Sequence, residues 1–103
     1  MPINIKNELR EHPAVFLYFK NETCQPCKVL RVKVQELLEA KYENIRFHVL
    51  DIADYPEYVA EFNVLSSPTM LLFLDGKEFF RGGIYTSISE LDEKLNRFYS
   101  LMF

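Results

Sequence analysis

A chain of 103 residues fits one domain, and a formal net charge of −3 gives no basic footprint for nucleic acid or anionic lipid. Hydrophobic residues make up 49% of it, with nine Phe and six Tyr, which excludes an intrinsically disordered chain. Two cysteines are too few for a disulfide framework, and there is no tryptophan.

The first residues, MPINIKNELREHP, are polar and charged. They lack the roughly 7–15 apolar residues of a secretory signal, and no run approaches the ~18–20 needed to span a bilayer. The expected location is a reducing cytoplasm. There a close pair of cysteines serves redox chemistry or metal binding rather than permanent cross-linking.

Residues 1–103 read as a single domain in which helix and strand periods alternate. Residues 3–11 predict a short helix carrying Ile5 and Leu9, stopped by Pro13, which pushes the preceding residue out of helical geometry. Residues 14–20 (AVFLYFK) are continuously apolar and aromatic, as in a strand covered on both faces. After a loop at 21–24, a long helix runs to about Tyr42. Pro26 sits in its first turn, where a missing N–H costs nothing, and Leu30, Val34, Leu37 and Leu38 form one buried stripe. Residues 45–51 predict a second strand, and 56–62 a short helix with Tyr58, Val59 and Phe62 facing inward. Residues 70–74 predict a third strand. Asp75-Gly76 is a two-residue hairpin signal leading to a returning strand at 78–81, which Gly82-Gly83 ends. Ser87 or Ser89 caps a last helix reaching about Ser100, with Leu91, Leu95 and Phe98 apolar. The order α-β-α-β-α-β-β-α predicts a mixed four-stranded sheet between helices. Parallel pairing is favoured at both helical crossovers, and an antiparallel hairpin closes the sheet.

Chemistry concentrates in Thr23-Cys24-Gln25-Pro26-Cys27-Lys28, directly after a buried strand and at the opening of a helix. A thiol at a helix N-terminus faces free N–H groups and the positive end of the helix dipole, and both favour thiolate. Cysteines in such places ionise at roughly 3.5–7.5 instead of about 8.5. Cys24 is therefore read as the exposed, attacking thiol and Cys27, one turn in, as the covered, resolving thiol. As a metal or iron–sulfur scaffold the pair supplies two ligands where a closed site needs about four, and His48 is not at a ligand spacing.

The motif, its strand-to-helix setting and the element order resemble the thioredoxin family. A second match is Ser66-Ser67-Pro68-Thr69 before the third strand, and a third is Phe73-Leu74-Asp75-Gly76-Lys77. The resemblance covers about residues 14–100. It implies a thioredoxin-like three-layer α/β sandwich lacking the family's opening strand. It also implies a cis-proline at Pro68 beside the redox pair, with Ser67 offering its backbone to a substrate peptide. Thr23, Gln25, Pro26, Ser67 and Pro68 are then the substrate-binding residues. The chain departs from the family at four places, the first being Gln25 where the family's motif typically has Gly. Thr23 stands where Trp precedes the motif, Tyr18 where a buried Asp lies six residues before the first cysteine, and Val49 where a Lys accompanies that Asp. Tyr18, with an ordinary pKa near 10, is a poor base for Cys27 near neutral pH.

The function expected is a thiol–disulfide oxidoreductase of cell redox homeostasis, working through Cys24 and Cys27 without metal or organic cofactor. Its partners would be a protein or small-molecule disulfide and a recycling reductase, with no nucleic acid and no membrane. The rival reading is a binding or adaptor module on the same fold with weak or no redox activity. Lys28 and Arg31 either help hold a thiolate or form a solvated helix face. Glu22 reads as a surface carboxylate, His48 as structural and His12 as a solvent-exposed loop residue. The apolar end at 98–103 either packs over the sheet edge left by the missing strand or supports a homodimer.

Overall fold

The computed structural model describes residues 3–21 and 25–103. Its elements are α1 (Ile5–Glu11), β1 (Ala14–Lys20), α2 (Gln25–Lys41), β2 (Arg46–Asp51), α3 (Pro56–Glu61), β3 (Thr69–Leu74), β4 (Lys77–Gly82) and α4 (Ile88–Met102). Local chemistry sets several of these limits. The Asn4 side chain accepts from Asn7 N–H to open α1, and His12 turns extended before Pro13. Ser87, not Ser89, caps α4, its hydroxyl accepting from Glu90 N–H. Asp75 and Gly76 both have positive φ, at 51° and 81°, which suits a two-residue turn whose twist matches the flanking strands.

The four strands run in the order β2-β1-β3-β4. β1 pairs with β2 in parallel and with β3 antiparallel, and β3 with β4 antiparallel. The first crossover thus follows the sequence expectation and the second does not. β3 does not join β2 in parallel; it takes the other edge of β1, running the opposite way. The reason lies in β1, where Ala14 to Phe19 are all buried. A strand so apolar on both faces is most stable in the centre, with a hydrogen-bonded partner on each side. Its alternating side chains then divide the core in two. Ala14, Phe16 and Tyr18 pack with Leu30, Val34 and Leu38 of α2 and Leu91 and Leu95 of α4. Val15, Leu17 and Phe19 pack on the other face with Ile5 of α1 and Val64, while Tyr58 and Val59 of α3 close that side. Three layers result.

The chain before β1 contributes α1 rather than a strand, so β2 is an edge among the described residues. α4 reaches the start of that edge. Tyr99 Oη accepts from Asn44 N at 3.2 Å and Asn44 Nδ2 at 3.0 Å, and the Tyr42 and Tyr99 rings meet edge to face at 5.0 Å. Tyr99 and Met102 pack on the core, whereas Leu101 is exposed. Lys41 Nζ reaches Asp92 Oδ2 at 2.8 Å and Tyr42 Oη donates to Asp92 O at 3.0 Å, fastening α2 to α4.

Candidate active site

The site forms where the carboxyl end of β1 meets the first turn of α2 and the turn before β3. Gln25 and Pro26 are exposed in that first turn. Cys27, one turn face inward, is only 2% exposed. Glu22, Thr23 and Cys24 lie outside the described residues. The Ser67–Pro68 peptide bond is cis. Pro68 is buried, Ser67 is half-buried with its Oγ shielded from solvent, and Thr69 Oγ1 donates to Ser66 O at 2.7 Å, which tightens the turn. A Cβ on Gly83 would come within 3.4 Å of the Pro68 carbonyl, so a glycine there lets the segment following β4 lie close to the turn.

Tyr18 and Val49 are register partners on adjacent strands, with Met70 opposite Tyr18 on the other side. The two departures read from the sequence therefore face each other across one strand pair. Tyr18 is fully buried and its hydroxyl donates to the Cys27 carbonyl at 2.9 Å. Burial pushes its ionisation up to about 12, with the Arg31 guanidinium pulling weakly the other way. Tyr18 is thus neutral across the neutral range and anchors the first turn of α2 to the sheet by donation.

A cleft of about 240 Å³ opens beside Cys27, lined by Lys20, Asn21, Lys28 and Arg31. Lys20 Nζ also meets Asp51 Oδ2 at 3.3 Å. Lys28 is a solvated helix residue, but Arg31 is half-buried and its Nε is shielded from solvent without a hydrogen-bond partner. The other flank of the site is mostly apolar, with Glu90 lining one of its two grooves and Lys33 the other. One groove runs along Ser66, Ser67, Pro68, Gly83, Ile84 and Tyr85, and a second along Pro26, Val29, Ile84 and Ile88. They share Ile84, so the α2 first turn and the Ser67–Pro68 turn border one depression. Sequence reasoning missed Val29, Ile84 and Tyr85, of which Tyr85 is 98% exposed. The signal available was an apolar Ile84-Tyr85 pair stranded directly after a Gly-Gly break.

The two histidines stand away from this site. Glu8 of α1, itself largely buried, has His48 Nε2 at 3.0 Å, His12 Nε2 at 3.1 Å and Arg46 at 3.5 Å. His48 is structural, as read. His12 is not the open loop residue expected: the α1 geometry turns it back onto a carboxylate one helical turn earlier.

A four-stranded mixed sheet with helices on both faces, a cysteine in the first turn of the helix after the central strand, and a proline turn facing it together define the thioredoxin-like fold class. The thioredoxin family model matches residues 3–97, and the chain belongs to that family. A thioredoxin-like protein from Bacillus subtilis, YdfQ, is 29% identical over 96% of this chain and 88% of its own length. The thioredoxin Asp f 28 of Aspergillus fumigatus is 32% identical over 91% of this chain and 85% of its own. Among solved structures, thioredoxin 1 of Thermosipho africanus superposes with a TM-score of 0.76 at 28% identity, covering 85% of this chain and 97% of that one. Family and fold support a thiol–disulfide oxidoreductase kind of function, and the family as a whole points to protein disulfides as substrates and reductases as partners.

Proposed function

We propose that the protein exchanges disulfides through Cys24 and Cys27 in a reducing cytoplasm, as part of cell redox homeostasis. Cys24, as thiolate, attacks a substrate disulfide; one substrate sulfur leaves as thiolate and the other stays bonded to Cys24. Cys27 then attacks Cys24, forming the Cys24–Cys27 bond and releasing the second substrate thiol. The substrate gains two electrons and the pair loses two, which a reductase with a dithiol or equivalent donor restores. The exchange needs no metal or organic cofactor, because the sulfurs carry the electrons.

The observation that carries this reading is the placement of Cys27, covered and in the first turn of the helix that follows the central strand, its carbonyl held by Tyr18 of that strand. Thr23, Gln25 and Pro26 would border the reacting sulfurs, and Ser67 would present its backbone beside Pro68. A thiol-redox titration should find one reversible two-electron couple, and Cys24→Ser should abolish reduction of a protein disulfide. If the Cys24→Ser chain reduced that disulfide at the parent's rate, the mechanism would be wrong. A pair with no reversible couple would make the chain a binding module on a redox fold.

A further inference from the structure

We infer that Arg31 is a positioning residue for the second half of the exchange: its guanidinium is the counter-ion that steadies the Cys27 sulfur as thiolate when Cys27 resolves the mixed disulfide. The inference rests on the proposed Cys24–Cys27 exchange and assigns a role within it.

Three observations meet here. Arg31 follows Cys27 by four residues within the continuous helix α2, so the two side chains share one helix face, and both line the same cleft. Its Nε is shielded from water and has no hydrogen-bond partner among the described residues, an unfavourable arrangement that an acceptor arriving at some stage of the reaction would relieve. The sulfur in that cleft is such a group, since a thiolate is a far better acceptor than a disulfide or thiol sulfur.

The surroundings leave the task to a cation rather than a base. From β1, Cys27 is faced by the neutral Tyr18 hydroxyl and by Lys20, the latter paired with Asp51 at the end of β2. From α2 it is faced by Lys28 and Arg31, which line the same cleft. Asp51 is held ionised by the Ala53 N–H and by Lys20, and Glu22 lies outside the described residues. Val49, the register neighbour of Tyr18, brings no charge either. Resolution then proceeds by having the proton already off. Cys27 loses it to solvent, the thiolate attacks Cys24, the Cys24–substrate bond breaks, and the departing substrate thiolate takes a proton from solvent.

The test uses the full chain carrying Cys24→Ser, in which Cys27 is the one thiol. Its ionisation is followed by ultraviolet thiolate absorbance against pH, in the parent and with Arg31→Met or Arg31→Lys. Arg31→Met keeps the apolar stem of the side chain and should move the midpoint up by about one pH unit, a tenfold loss of thiolate at fixed pH. Arg31→Lys should restore most of it, and the pH profile of mixed-disulfide resolution in the two-cysteine chain should move with it. Superimposable curves for parent and Arg31→Met would overturn the inference. If Arg31→Met does not fold, as judged by circular dichroism, a second pair of variants decides, the charge-removing Arg31→Gln against Lys28→Gln. The inference expects the smaller shift from the exposed Lys28→Gln, and equal shifts would overturn it. Absence of a reversible Cys24–Cys27 couple would defeat the proposed function without touching the Cys27 titration, so the two failures are distinguishable.

Discussion

Tyr18 Oη donates to the Cys27 carbonyl at 2.9 Å, across the junction between the central strand and the helix that opens with the cysteine motif. This places a neutral donor under the site. A carboxylate there could accept a proton from the neighbouring thiol, but a phenol held at about 12 cannot. The bond fixes where the first turn of α2 sits on the sheet and leaves the chemistry of Cys27 to the cleft beside it.

Tyr18→Phe keeps the ring packing and deletes that bond. Loss of one buried neutral hydrogen bond costs about 1 kcal/mol, which for a domain of this size lowers Tm by roughly 4–8 °C. Thermal unfolding by circular dichroism measures it. An unchanged Tm would mean that the hydroxyl contributes nothing to holding α2.

The Ile84 side chain lines both apolar grooves at the site and is partly exposed. Ile84→Asp should raise KM for a protein disulfide about tenfold, a loss of roughly 1.4 kcal/mol of contact. Reduction of a small aromatic disulfide, which does not fill the grooves, should proceed at the parent's rate. Equal losses on both substrates would show that Ile84 acts on the cysteines rather than on docking.

His48 is held below its ordinary ionisation range, chiefly because it is buried, with Glu8 opposing that shift and Arg46 and His12 adding to it. The unfolded chain therefore takes up the proton before the folded one does as pH falls. Stability contributed by the neutral imidazole is present above the unfolded value of about 6.5 and is lost as pH drops through the lower folded value. Urea unfolding at about pH 7 and about pH 5 should show a larger loss for the parent than for His48→Gln, which cannot titrate. Parallel losses in the two chains would remove His48 from the acid response.

Much of the fold was legible because local chemistry and burial agree. β1 appeared in the sequence with its final limits, since six consecutive apolar and aromatic residues, closed by Lys20, between Pro13 and a polar loop suit no other element. Asp75-Gly76 specified its turn because both residues tolerate positive φ. Pairing across the second crossover was not legible. A helix between two strands permits parallel pairing, but which edge of β1 is vacant depends on all four strands at once. His12 was misjudged for a similar reason: its partner Glu8 is near in sequence, but the pocket that buries Glu8 is built by α1 and β2 together.

The sequence by itself determined the class of chemistry. Two cysteines at helix-opening spacing, after a buried strand and before a proline turn, leave few other uses for those residue types. It also marked Thr23, Tyr18 and Val49 as departures. Tertiary structure decided what two of those departures mean. Tyr18 and Val49 prove to be register partners, and the Tyr18 hydroxyl is spent on the Cys27 carbonyl. It also showed that Arg31, which periodicity leaves open, is half-buried in the cleft that Cys27 lines. A long basic side chain on a helix is solvated or buried according to what packs over it, and the Nε of this one is shielded from solvent in the cleft beside Cys27.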